Sequence, residues 1–213
     1  MKVIAIDGPA GAGKSTVAKA LAERLGLDYL DTGAMYRAVA FAALRRGIDP
    51  DETDTVARLA DDVELDVSAD AVRVDGIDAT IEIRGPEVTR AVGPVASNRA
   101  VRAELRRRQQ EWAKQHGGGV IEGRDIGSVV FPHAELKLYV TADVDVRAQR
   151  RAQEVTDLNY DEVVASIIER DALDRERADG ALIEAAGAVL IDTTGRSVDD
   201  IVDEIVDLLG AHG

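Results

Sequence analysis

Lys2-Val3-Ile4-Ala5-Ile6-Asp7-Gly8-Pro9-Ala10-Gly11-Ala12-Gly13-Lys14-Ser15 is the stretch that decides the fold. Its short apolar run stops at Asp7-Gly8-Pro9 and reads as a buried parallel strand. From Lys14 onward, Val17, Ala18, Leu21, Ala22 and Leu25 share one helical face, and Gly26 ends the helix. Between strand and helix, Gly8 to Ser15 fits G-x-x-x-x-G-K-[ST] without a mismatch. Glycines let such a loop fold tightly enough for successive N–H groups to point at phosphate oxygens, and the helix N-terminus adds its dipole. Gly8, Pro9, Ala10, Gly11, Ala12, Gly13, Lys14, Ser15 and Thr16 are therefore candidates to hold ATP. Lys14 is expected to reach the β and γ phosphates, and the Ser15 hydroxyl to bind Mg²⁺.

Working outward, residues 28–30 read as a second strand, Asp31-Thr32 as N-cap chemistry, and the chain to about Gly47 as a helix. Between about Asp61 and Pro94 the pattern changes. Val63, Leu65 and Val67 alternate with Glu64, Asp66 and Ser68, Val72 and Val74 alternate likewise, and Asp75-Gly76 turns the chain toward Thr80–Ile83. This predicts an antiparallel insert with one wet face, punctuated by Gly85-Pro86 and Gly93-Pro94. A long helix is expected from about Pro94 to His116, ended by three glycines. Strands at 120–122, 136–140 and 189–192 then alternate with helices at 143–155, 160–177 and 198–209. The expectation is an α/β fold whose parallel sheet is flanked by helices, as in P-loop nucleotide-binding proteins.

At 213 residues the chain is long enough for one large domain or a core with a smaller insert. Its 46% hydrophobic and 31% charged residues are those of a globular protein. Cysteine is absent, which rules out disulfides and thiolate metal sites and suits a reducing cytoplasm. The four apolar residues Val3 to Ile6 make no signal-peptide core, and no run approaches a membrane span. A formal charge of −14 argues against nucleic acid and membrane surfaces as partners. Arginines nevertheless cluster at 106–108, 147–151 and 170–177, as surface ion pairs or as the lining of a polyanion pocket. No N-K-x-D guanine-reading motif accompanies the glycine loop, which argues against a GTPase.

The acceptor side has its own candidates. Tyr36 and Arg37 follow Asp31-Thr32-Gly33 on the first turns of a helix at the carboxyl edge of the sheet, where ligands bind in open α/β folds. Alternatively Tyr36 is core and Arg37 solvated. Gly123-Arg124-Asp125-Ile126-Gly127 opens at the same edge after its own strand. Arg124 suits an anion and Asp125 a donor-bearing base edge, the competing reading being a plain turn with a surface ion pair. Arg147, Arg150 and Arg151 share a helical face, as do Arg170, Asp174 and Arg177. Solvated faces are the ordinary reading of such patterns, but phosphoryl transfer needs several fixed cations around the moving group.

Together these segments resemble bacterial cytidylate kinases over nearly the whole chain. The carriers are Gly8 to Ser15, Asp31 to Arg37, Val95-Ala96-Ser97 with Arg102, Glu122 to Pro132, and Glu169-Arg170-Asp171 through Asp174 to Arg177. The resemblance implies ATP-dependent phosphorylation of CMP and dCMP by direct in-line transfer, with Mg²⁺, by a cytoplasmic monomer. It also implies a core (about 1–31, 117–143 and 178–213), a CMP-binding region (about 32–116, insert about 61–94) and a short helical lid (about 144–177). Ser97, Arg102 and Asp125 would contact cytosine, Arg170 and Asp174 the sugar, and Arg37, Arg124 and Arg177 the phosphate of CMP. Thr32 and Tyr36 join the CMP set, Arg147 and Arg151 are expected on ATP from the lid, and Lys14, Arg124 and Arg177 are the catalytic cations. Thr32 stands where the family often has Ser. Glu122 stands where some members have Asp, and Leu173 lies where another arginine can occur; neither is counted among the site residues.

Overall fold

The structure is a computed structural model that describes residues 1–154 and 159–211. The chain begins with β1 (Lys2–Asp7) and α1 (Lys14–Leu25), then β2 (Tyr29–Asp31), α2 (Thr32–Arg45) and α3 (Thr53–Asp62). Three short strands follow, β3 (Leu65–Val67), β4 (Val72–Val74) and β5 (Ile77–Asp78), and then α4 (Pro86–Ser97) and α5 (Arg99–Gln115). The last part comprises β6 (Gly118–Gly123), β7 (Leu136–Thr141), α6 (Val144–Glu154), α7 (Tyr160–Glu176), β8 (Val189–Asp192) and α8 (Val198–Ala211). Two compact units result, one of Met1–Asp28 with Gly117–Gly213, the other of Tyr29–His116.

In the first unit β6, β1, β7 and β8 lie side by side in that order, all parallel. Ile4 sits between Val120 and Leu136 in register, and Val3 to Ile6 are buried, as an apolar run covered on both faces must be. Helix α1 packs on α8 and β6. Helices α6 and α7 pack through Ala148, Val163 and Ile167, and Asn159 with Glu162 forms a capping box that starts α7. Residue 155, expected in the helix of 143–155, and residues 155–158 of the expected lid lie outside the described residues.

The second unit starts at β2, where the Asp31 side chain accepts a hydrogen bond from Ala34 N at 3.0 Å and so caps α2. Strands β3, β4 and β5 form an antiparallel sheet with Asp66 and Arg73 exposed between more buried neighbours. Asp75 (φ 50°) and Gly76 (φ 74°) make the tight turn that the Asp-Gly pair predicts.

Three sequence expectations need correction here. The meander ends at Asp78, not at Ile83: the Asp78 carboxylate accepts from both Thr80 N (3.0 Å) and the Thr80 hydroxyl (2.7 Å), closing a local turn that competes with the ladder. Ile83 then lies in a single 3₁₀ turn, Glu82–Arg84. Residues 86–97 are helical, so the antiparallel part of the 61–94 insert covers only Leu65–Asp78. Pro86 is the first residue of α4, where a missing N–H costs nothing, and Pro94 is accommodated inside that helix near its end. The expected helix from Pro94 to His116 is therefore two helices. Asn98 separates them in an extended conformation, its side chain accepting from Ala100 N and Val101 N to start α5. Helix α3, with Val56, Leu59 and Ala60 buried, stands where the sequence reading placed no element.

Candidate active site

The glycine loop runs from the end of β1 to the start of α1. At Gly8 (φ 153°) a Cβ would lie 2.0 Å from the Val140 carbonyl oxygen, and at Gly11 (φ 74°) 2.8 Å from that of Arg147. No side chain fits at either place, so the loop packs its backbone directly on β7 and α6. The Lys14 ammonium is nearly buried and donates to Pro9 O at 2.8 Å, folding back across the loop. Ser15 and Thr16 are exposed on the first turn of α1, where a helix leaves its leading amides without intrahelical acceptors.

Two arginines that helical spacing alone would leave on a solvated face brace this loop. Arg147 is buried; its Nη1 donates to Ala10 O (3.1 Å) and to Asp171 Oδ2 (2.6 Å), and its Nε donates to Ala142 O (3.1 Å). Asp171 Oδ1 in turn accepts from Ala10 N at 3.4 Å. Arg150 donates to the Thr193 hydroxyl (2.8 Å) and carbonyl (3.0 Å), and that hydroxyl reaches Ala12 O at 3.0 Å. Arg151 is half-buried.

A second cationic group lies in the same unit. Buried Asp174 accepts from Arg124 Nε at 2.8 Å and from Arg177 Nη2 at 2.5 Å. Burial would raise the Asp174 pKa, yet Arg124 and Arg177 outweigh it and hold the carboxyl below its ordinary range. Arg124 is likewise opposed by burial and raised overall by Asp174. Arg170 is pulled down to about 10, first by burial and then by Arg124, with Asp174 opposing and Arg151 and Arg177 adding to the repulsion. Arg170 thus feels the repulsion of Arg124, Arg151 and Arg177 beside Asp174, while Glu122 and Asp171 also act on Arg124. A bound anion would relieve that repulsion.

Asp7 ties the two groups together. Its buried carboxylate accepts from Ile126 N (2.8 Å) and Gly127 N (2.7 Å), so the end of the strand that feeds the glycine loop also fixes the turn bearing Arg124 and Asp125. Burial raises its pKa to about 6; the Gly127 and Ile126 amides offset part of this, Asp125 adds to it, and Lys14 subtracts. Asp125 itself is buried, which disposes of the plain surface turn. Glu122 is buried on β6, and its charge helps to raise the Arg124 pKa. Leu173 is 61% exposed.

In the second unit, Arg102 is buried with its guanidinium 5.7 Å from the centre of the Tyr36 ring, and its Nη1 donates to Ala96 O at 3.4 Å. Arg37 donates to the Thr89 hydroxyl at 3.0 Å and to Ile83 O at 3.3 Å. Tyr36 and Arg37 are both half-buried, so neither core nor full solvation describes them. Thr32 is buried at the start of α2, and Ser97 is exposed at the end of α4. Sequence reasoning missed Asp7, Asp171 and Thr193. Only Asp7 had a local signal, as the sole acid at the strand end before the loop.

Among the described residues no helix is long and apolar enough to cross a membrane. The family model described as cytidylate kinase matches residues 4–211. A cytidylate kinase of Desulfitobacterium hafniense is 47% identical over 212 residues, covering 96% of this chain and 91% of that protein. A bifunctional pantoate ligase/cytidylate kinase of a Synechococcus strain is 45% identical over 97% of this chain, which spans only 44% of that longer relative. Among solved structures, an uncharacterized protein from Eubacterium ventriosum aligns over 99% of both chains with a TM-score of 0.58 at 12% identity, a likeness of fold alone. With a family model covering nearly all of the chain and a relative of this identity and coverage, the chain belongs to the cytidylate kinase family.

Proposed function

We propose that this protein transfers the γ-phosphoryl group of ATP to CMP and dCMP, giving ADP with CDP or dCDP, in the cytoplasm. The carrying observation is the Asp7 link: one strand end supports both a phosphate-cradling loop and a turn whose Arg124 belongs to a buried guanidinium cluster. The glycine-loop amides from Gly11 to Thr16, Lys14 and Arg151 take the triphosphate, with Gly8, Pro9 and Ala10 shaping the loop. Arg124, Arg177 and Arg37 take the CMP phosphate, Arg170 and Asp174 the sugar, and Asp125, Ser97 and Arg102 the cytosine, with Thr32 and Tyr36 beside them.

The acceptor is already an oxyanion at neutral pH, so no side chain has to act as a general base. What the residues must do is screen two anions from each other and align them in line, which is the work of Lys14, Arg124 and Arg177. For Mg²⁺ the available donor is the exposed Ser15 hydroxyl on the first turn of α1. One protein oxygen with phosphates and water is the donor set that this hard, reluctantly dehydrated ion accepts, so the residues fit. When bound, Mg²⁺ neutralises charge on the β and γ oxygens.

The test is a panel of acceptors, CMP, dCMP, UMP, dTMP, AMP and shikimate, offered with ATP to the purified protein while ADP release is followed. CMP and dCMP are expected to be the best substrates and ATP alone to turn over slowly. A preference for AMP or shikimate would overturn the assignment.

A further inference from the structure

We propose that Arg147 and Asp171 are positioning residues for the phosphate loop, acting through the Ala10 peptide rather than on the nucleotide; the inference rests on reading that loop as the ATP site. Both polar backbone atoms of one loop residue are claimed by one ion pair. Arg147 Nη1 donates to Ala10 O at 3.1 Å, and Asp171 Oδ1 accepts from Ala10 N at 3.4 Å. The pair itself closes at 2.6 Å, with the two residues 5% and 2% exposed. The Arg147 Nε bond to Ala142 O fixes the guanidinium against the end of β7.

A buried ion pair is weak evidence of stabilisation, since desolvation offsets most of the attraction. Its worth here lies in geometry. The loop must present its amides to phosphate at fixed angles, and a loop with glycines at 8, 11 and 13 has little intrinsic stiffness. Arg147 and Asp171 come from α6 and α7, which pack on each other through Ala148, Val163 and Ile167. The same hairpin touches the loop again, because Gly11 has no room for a side chain against the Arg147 backbone. Two residues on, the Thr193 hydroxyl, itself held by Arg150, donates to Ala12 O. The helical hairpin therefore sets the curvature of the loop at two points, and the Arg147 guanidinium is occupied with backbone and Asp171.

Direct contact and positioning make different predictions. A carboxylate has no reason to approach ATP phosphates, so a folded Asp171→Asn variant should keep or gain analogue affinity if Arg147 acts on the nucleotide, and lose it if the pair acts through Ala10. Asp171→Asn strands a buried guanidinium and risks misfolding, whereas Arg147→Met with Asp171→Leu replaces the pair by apolar groups of similar size. For this double variant we expect a folded protein whose melting midpoint is lowered by several degrees, because Ala10 O, Ala10 N and Ala142 O lose their partners, with about 10- to 100-fold weaker binding of a non-hydrolysable ATP analogue by calorimetry and a KM for CMP within about twofold of the parent. Wild-type analogue affinity in the folded double variant overturns the proposal. In the unsubstituted protein the Ala10 amide should resist hydrogen exchange without nucleotide; exchange at the rate of an unstructured peptide overturns it equally, whatever the fate of the variants. The readout needs no acceptor. Loss of analogue affinity in a protein that ignores CMP would uphold the brace and reject the CMP reading, and the reverse pattern would do the opposite.

Discussion

The arginines on α5 and the group formed by Arg124, Arg170 and Arg177 look alike in sequence and are used in different ways. On α5, Arg107 and Arg108 share Glu104, at 2.7 and 2.6 Å, and Arg108 also donates to the carbonyls of Ala60, Asp61 and Val63 at the end of α3. Arg108 thereby holds the end of α3 against α5. In the other unit Asp174 serves Arg124 and Arg177 while Arg170 loses basicity, first to burial and then to Arg124. The first group lies among backbone acceptors and one shared carboxylate, whereas in the second Arg170 is repelled by its neighbours even beside Asp174. A fold tolerates buried like charges where a ligand relieves them, and that difference separates a structural cluster from a binding one.

Removing charge from the second group should have the largest effect. Arg124→Ala leaves Asp174 paired with Arg177, so the fold should survive, while the transferring phosphoryl group loses a fixed cation. We expect kcat with CMP to fall by about 10²–10³-fold and the affinity for an ATP analogue to change by less than about threefold. Steady-state kinetics and calorimetry on one preparation check both halves. Normal turnover of CMP would remove Arg124 from the mechanism and erase the contrast between the clusters.

Asp7 comes next, since it connects the binding cluster to the glycine loop. Its carboxyl has a native pKa of about 6 against an ordinary value of 3.8. Below about pH 4 both native and unfolded states hold the proton, and between about 4 and 6 only the native state does. Stability attributable to this group is therefore present at low pH and lost as pH rises through about 6, by up to about 3 kcal/mol. Asp7→Asn carries no such slope. Urea melts from pH 4.5 to 7.5 should show the wild type losing ground to the variant as pH rises, then a constant gap. Parallel profiles would mean that the Ile126 and Gly127 amides hold Asp7 as a fully ionised group.

What was legible in the sequence was local. The loop from Gly8 to Ser15 needs only consecutive residues to define it, and the apolar runs of β1, β6, β7 and β8 announce burial without reference to partners. The 3.6-residue spacing of Arg170, Asp174 and Arg177 placed them on one face, and the structure joins Asp174 to both Arg124 and Arg177. What the sequence hid depends on distance along the chain: Asp171 meets Ala10 across 161 residues, and Asp7 meets Gly127 across 120. No periodicity encodes such pairs. Helical spacing put Arg147 on one face with Arg150 and Arg151 but could not show that Ala10 and Asp171 are its neighbours. Around Gly93-Pro94 the error was of another kind, since a proline read as a boundary lies inside α4, and the real break is the side-chain cap of Asn98.

The structural cluster gives the smallest and most discriminating prediction. Arg108 is a partly buried clasp on three carbonyls of the α3 end, so Arg108→Ala leaves acceptors that water must find, and should cost roughly 1–3 kcal/mol in urea melts. Arg107, by contrast, is 65% exposed and bonded to Glu104 within its own helix, so Arg107→Ala should leave the melting midpoint where it is. Neither change touches a residue assigned to nucleotide, so both variants should keep the parental kcat and KM for CMP at a temperature where they are folded. If either altered kcat as Arg124→Ala does, the α5 arginines would also belong to the binding machinery. Repulsion among buried guanidinium groups would then fail as a criterion for telling the two kinds of arginine cluster apart.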